Sequence, residues 1–294
     1  METHVSEEIP YPQFHSWMHT RCVLPRESVK KKIARWNQQP FPIPAIEAVV
    51  SRFARMLNIF SPRRRHITYK FVVSGFRWYF RIFNRLKAFG KENIPPRGCI
   101  FYANHPGSFD PLILYAAIPH IQVAGFVSWG NGWFADMLEA CYGISPFRQA
   151  SMPMKVEKMI REILLRNRFF AIWPEGHPHP GPIEQGFSSI IRVYATLNYN
   201  KDRIPFLPVH IRGKGAERKD VQHKMGPIEI YFFKPLFLNR QWLKRPAEGG
   251  KTPREIIDFL MLHLARKNGQ ESLAPNPRLE QRRVRWAKMN PLRP

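Results

Sequence analysis

The chain has 294 residues, 44% of them hydrophobic, and carries a formal net charge of +24. That length and apolar content allow one large domain with an accessory segment, and exclude a chain too polar to build a core. The charge demands an anionic partner: nucleic acid, an acidic membrane surface or a phosphorylated substrate.

Cys22, Cys99 and Cys141 stand far apart without metal-type spacing, which favours a reducing compartment. The amino-terminal residues lack an apolar core, so no cleavable signal peptide is expected. Residues 1–44 are polar and proline-containing, without a sustained period, and read as an extended arm. Ile46, Val49, Phe53, Met56 and Phe60 then recur at helical spacing, followed by a basic break over 61–66. The next helix is expected over 69–89. Phe76, Tyr79, Phe80, Phe83 and Leu86 form one stripe, and Arg77, Arg81 and Arg85 fall on another face. Aromatic residues beside a row of Arg describe an amphipathic helix in a membrane interface, where Trp78 and Tyr79 suit the headgroup layer.

The chain then reaches the stretch around which the rest is organised. Ile100 to Ala103 is a short apolar run flanked by turn residues and reads as a buried strand. It stops at Asn104-His105-Pro106-Gly107, and a helix is expected over 112–118, with Asp110 as its cap and Pro111 in its first position. His105 thus sits at the carboxyl end of a strand and Asp110 at the start of the next helix, the crevice where open α/β sheets bind ligands. The turn between them lets the carboxylate fold back onto the imidazole. A His held by an Asp is a general base in a fixed tautomer. The bland alternative is an Asp that only caps its helix beside a loop His.

Residues 111–135 contain no Asp, Glu, Lys or Arg and are long enough to cross a bilayer. Pro119, His120, Gln122, Gly125, Gly130, Asn131 and Gly132 interrupt them, so they read instead as a helix, a strand over 121–128 and a loop into a helix near 133–141. Further on, the pattern alternates: a helix over 155–168, strand 169–173, turn-rich loop 174–184, helix 186–199, and strands 206–212 and 228–233. This predicts an α/β fold, a mixed and largely parallel sheet sandwiched by helices, preceded by amino-terminal amphipathic helices. Thr252-Pro253-Arg254-Glu255 is a capping box opening a helix to about Lys267. From Ala274 the tail is rich in Pro and Arg, a composition expected to stay disordered until it meets a polyanion.

Four blocks in order resemble the PlsC-like glycerolipid acyltransferases, the 1-acylglycerol-3-phosphate acyltransferase family. They are Asn104-His105-x4-Asp110, Gly143-Ile-Ser-Pro-Phe147-Arg148, Trp173-Pro174-Glu175-Gly176 and Ile204-Pro205-Phe206-Leu207-Pro208-Val209, within about residues 87–235. The third block departs from the family's pattern: His177 and Pro178 stand where a hydroxyl residue and an Arg are expected. The resemblance implies a glycerol-3-phosphate acyltransferase-like fold. It divides the chain into an arm with interface helices (1–86), a catalytic domain (87–270) and a basic tail (271–294). It also implies transfer of a fatty acyl group from acyl-CoA or acyl carrier protein, as co-substrate rather than cofactor, to lysophosphatidate or a related lysophospholipid. His105 and Asp110 would be catalytic, Arg148, Glu175 and Gly176 would bind the acceptor, and His177 is a further candidate acceptor contact. With the third block's Arg missing, Lys155 or Arg212 could supply its charge, or the acceptor could lack a phosphate.

The expected setting is the cytoplasmic face of an anionic membrane, held peripherally or monotopically. His177-Pro178-His179 has a chelating spacing, but with no Cys and no acidic cluster beside it no metal is expected. A nucleic-acid-binding protein is the alternative from another class. Charge and aromatics mixed with Arg favour it, but RNP-like, zinc-finger and helix-turn-helix signatures are missing, so no specific nucleic acid is expected.

Overall fold

The computed structural model describes residues 62–107, 109–119, 121, 123–126, 143–144, 160–197, 204–214, 226–281 and 284. The chain forms two compact units, one of residues 1–72 and 127–153, the other of 73–126 and 154–294. Of the first, the structure describes the opening of helix α1 (Pro62–Phe83) and a two-residue strand, β4 (Gly143–Ile144). The second holds the sheet and the candidate site.

Within that larger unit the strands β1 (Lys87–Phe89), β2 (Ile100–Ala103), β3 (Val123–Phe126), β5 (Phe169–Ile172), β6 (Phe206–Arg212) and β7 (Glu229–Phe232) lie in the order β1-β7-β6-β2-β5-β3. Every neighbouring pair is parallel except β6 with β7. The expected mixed, largely parallel α/β sheet is therefore present. β2 lies between β5 and β6, and all four of its side chains are buried, which is why its sequence is an unbroken apolar run. β7 alternates half-buried and buried residues, the pattern of a strand with one covered face. Helix α2 (Asp110–Ala117) is buried at every position. Helix α4 (Pro253–Lys267) lays Ile256, Ile257, Leu260, Met261 and Leu264 against α3 (Ser189–Ala195) and β6. The expected capping box is formed: Glu255 N–H donates to Thr252 Oγ1, and Thr252 N–H donates to Glu255 Oε2.

Three expectations are corrected. The Arg run over 61–66 is not a break, because α1 already starts at Pro62, whose missing N–H is harmless in a first turn. The helix expected over 69–89 ends at Phe83. Asn84 is fully buried, donates its side-chain N–H to the Gly226 carbonyl and accepts the Ile228 N–H on its own carbonyl. Arg85 then turns through positive φ (45°), and 87–89 pair with β7 as β1. Leu86 and Arg85 thus leave the helical faces assigned to them; strand pairing outweighs the helical period there. Residues 274–281, the start of the tail, are docked rather than loose. Ala274 bridges Glu184, and residues 277–281 form a helical turn. The helices expected near 46–60 and 133–141 lie outside the described residues.

His210 of β6 is 5% exposed and stacks beside Tyr231. Burial, with the nearby Arg212 charge, pushes its imidazole down to about 4 from an ordinary 6.5. The unfolded chain therefore takes up a proton that the folded chain refuses, and stability is lost as pH falls below about 6.5. We expect wild type to lose about 2 kcal/mol to this group between about pH 7.5 and 5, and His210→Gln to escape that part of the loss. Urea unfolding of both proteins at the two pH values measures it; equal losses would place the effect elsewhere.

Candidate functional site

β2 and β5 are adjacent and parallel, with Tyr102 opposite Ile172. Their carboxyl ends therefore lie side by side, and three residues beyond that pair stand His105 on one strand and Glu175 on the other. Between Ala103 and His105, Asn104 holds the neighbouring strand: its side-chain N–H donates to the Ile211 carbonyl and its oxygen accepts the Ile211 N–H, both at 2.8 Å. The amide side chain thus takes over where the β2–β6 ladder stops, and the main chain is released into the His105 turn.

Asp110 does not cap its helix as expected. It is the helix's first residue, after Phe109, and its carboxylate turns back. Oδ2 lies 2.7 Å from His105 Nδ1 and accepts the Gly107 N–H at 3.1 Å. A carboxylate oxygen accepts, so His105 Nδ1 is the donor and Nε2 is the ring nitrogen left over. Asp110 is fully buried, while the His105 side chain remains 12% exposed and packs against the Trp173 ring. A general base needs a held ring, a fixed tautomer and access to a reacting proton; this His has all three.

Glu175 supports the dyad from the main-chain side. Its Oε2 accepts the His105 N–H at 2.6 Å and its Oε1 accepts the Glu184 N–H at 3.0 Å. Burial pushes the carboxyl up to about 8, opposed by those two amides. With both oxygens engaged and 2% of its surface exposed, Glu175 ties the His105 turn to the loop at Glu184. Gly176 is required by the backbone. It has φ +73°, and a Cβ there would lie 2.8 Å from the Phe187 ring.

The unusual end of this loop also turns inward. His177 Nδ1 contacts the Glu175 carbonyl at 3.1 Å, and Nε2 faces Glu184 at 3.4 Å; burial lowers the His177 imidazole below its usual range. The His179 N–H donates to the His105 carbonyl at 2.6 Å. Arg148 and Lys155 lie outside the described residues. Arg212 is already engaged: its Nε donates to Glu229 and its Nη2 to the Tyr231 hydroxyl.

Sequence reasoning missed the closing piece, Asn276, Arg278 and Glu184. Asn276 is 3% exposed and its amide donates to the carbonyls of Glu175 and Gln185, while Arg278 Nη1 donates to the Gly176 carbonyl. A basic tail contains no period that would announce such docking, whereas Glu184, five residues past His179, was legible as a possible partner of the two histidines.

Neither a protein-family model nor a curated protein sequence matches the chain. Among solved structures, the 1-acyl-sn-glycerophosphate (LPA) acyltransferase PlsC from Thermotoga maritima is similar, with a TM-score of 0.51 at 14% identity. The likeness covers 76% of this chain and 95% of that one. It is a likeness of fold. Within that PlsC-like fold the His105–Asp110 pair stands on its own geometry, a held imidazole at the carboxyl end of a central parallel strand.

Glu175→Ala should destabilise the protein by about 1–3 kcal/mol, because it leaves the buried His105 and Glu184 N–H groups without an acceptor. Urea unfolding gives the magnitude, and a loss below about 0.5 kcal/mol would mean that water replaces the carboxylate freely.

Proposed function

We propose that the chain is an acyltransferase that moves a fatty acyl group from an acyl thioester, on coenzyme A or acyl carrier protein, to a hydroxyl of lysophosphatidate or a related lysophospholipid. The observation that carries this reading is the His105 Nδ1–Asp110 Oδ2 contact of 2.7 Å, set in a fold similar to a solved LPA acyltransferase. His105 Nε2 takes the acceptor hydroxyl's proton as its oxygen bonds to the thioester carbonyl carbon. Asp110 stabilises the resulting imidazolium. The tetrahedral intermediate collapses with cleavage of the C–S bond, and the imidazolium returns the proton to the leaving thiolate, giving an ester and a free thiol. No protein nucleophile is needed, since the thioester is already activated.

For the acceptor's phosphate the reading assigns Arg148 and, at the third block's loop, Arg278. Its guanidinium, anchored on the Gly176 carbonyl, brings positive charge to the turn whose own sequence lacks an Arg. Arg suits this task because its fork can hold phosphate oxygens bidentately. The second reading keeps the chemistry and changes the acceptor to one without phosphate. It is favoured by His177 and Pro178 in place of the hydroxyl residue and Arg.

A membrane interface fits the outer face of α1. Trp78 is 63% and Ile82 53% exposed, one helical turn apart, with Arg81 exposed between them and Phe83 partly exposed beyond. Exposed apolar side chains rimmed by Arg suit an anionic surface. Among the described residues, no helix is long and apolar enough to cross a membrane. The cytoplasmic face of a membrane is the location this reading assigns.

His105→Ala should abolish acyl transfer to a lysophospholipid while leaving the unfolding midpoint near wild type, and Asp110→Asn should lower kcat by about 10²–10⁴. In the same assay Arg148→Ala should raise the acceptor's KM and leave the donor's unchanged. Near-wild-type turnover by His105→Ala would sink the mechanism. Independently, Arg77, Arg81 and Arg85 changed to Glu, or Trp78 and Ile82 to Ala, should weaken sedimentation with anionic vesicles, since each basic residue near such a surface contributes about 1 kcal/mol. Unchanged partition at low salt would make this face ordinary solvated surface.

A further inference from the structure

The loop after β5 gathers polar groups that acyl transfer leaves unused. His177 Nε2 lies 3.4 Å from one Glu184 oxygen, and His179 Nε2 lies 3.4 Å from the other. One donor atom from each of the three residues falls within 4.8 Å of the others. An ion holding nitrogen and oxygen donors at about 2.0–2.1 Å in a tetrahedron keeps them about 3.3 Å apart, so the two imidazole–carboxylate separations are already near coordination length.

Two further observations point to a cation. The Glu175 carbonyl beside His177 Nδ1 has no proton to give, so Nδ1–H is the donor and Nε2 is the nitrogen that faces Glu184. Metal-binding histidines are oriented in this way, by donating the other ring N–H to a carbonyl. Second, the Glu184 side chain is only 5% exposed, and its Oε2 has no hydrogen-bond partner among the described residues. A buried carboxylate oxygen without a hydrogen-bond partner is a costly arrangement unless positive charge lies beside it.

The backbone favours the same outcome. His177 precedes Pro178 and His179 precedes Pro180, so both histidines are biased to extended backbone and lose little freedom on binding. Arg278, held on the Gly176 carbonyl, opposes an added cation, and the Glu184 carboxylate offsets it. Two imidazoles and one carboxylate exclude the hard ions that prefer oxygen shells, and suit zinc and its transition-metal neighbours.

We propose that His177, His179 and Glu184 bind a divalent transition-metal ion, with Zn²⁺ the best-fitting probe, and that water completes its shell on the partly exposed His179 side. The ion staples residues 177–184 around Glu175, and so braces the loop whose carboxylate holds His105. The inference stands whether or not the protein transfers acyl groups.

The test uses the full chain stripped of metal by a chelator and titrated with Zn²⁺ by calorimetry. The chain has 11 histidines, so assignment rests on variants. Wild type should bind one ion with submicromolar Kd and rise in Tm on its addition. His179→Ala, at a half-buried position, and Glu184→Gln should each weaken that binding by about tenfold or more and lose the Tm rise, with circular dichroism unchanged. Co²⁺ in place of Zn²⁺ should give visible absorption that disappears in both variants. Absence of binding at Zn²⁺ on the order of 100 µM, or equal affinity in wild type and both variants, would overturn the proposal and leave Glu184 paired with a protonated His177.

Discussion

The parallel, in-register contact of β2 with β5 is the constraint on which the site depends. It brings together two strand ends that are 70 residues apart and sets the Glu175 carboxylate under the His105 N–H. His105 is then gripped twice, through its main chain by Glu175 and through its ring by Asp110, leaving one ring nitrogen for chemistry. Both carboxyl groups are buried, and the Asp110 charge adds to the cost of ionising Glu175. Both Glu175 oxygens and Asp110 Oδ2 meet an N–H, and losing one partner costs more than the pair contributes net.

That grip is completed from far along the chain. Gln270, just past α4, exchanges hydrogen bonds with Ile183, and Asn276 closes over Glu175 and Gln185. A loop of prolines and glycines has no ladder of its own, so its carbonyls must find donors elsewhere. The carboxyl-terminal segment supplies them, and brings Arg278 to a turn that lacks its own Arg.

Much of this was legible beforehand, for identifiable reasons. β2, β5 and β6 were readable as short apolar runs because they are buried on nearly every side chain, and α4 because its capping box marks where the helix opens. The His105–Asp110 contact was readable because only a turn separates the two. The end of α1 was not: Asn84, Arg85 and Leu86 continue a helical stripe, and only the Gly226 and Ile228 backbone beyond them makes a strand the better state.

By itself, then, the sequence determined what local chemistry can determine: which segments are strand or helix, where the chain must turn, and that a His and an Asp sit at one strand–helix junction. Tertiary structure decided what depends on partners distant in the chain. It set Glu175 under the His105 N–H, used Arg212 on Glu229 and Tyr231, and drew Asn276 and Arg278 onto the loop. It also closed Glu184 against two histidines. The reason is physical: a charged or amide side chain goes to whichever buried backbone group most lacks a partner, and that group's address is set by the fold, not by neighbouring residues.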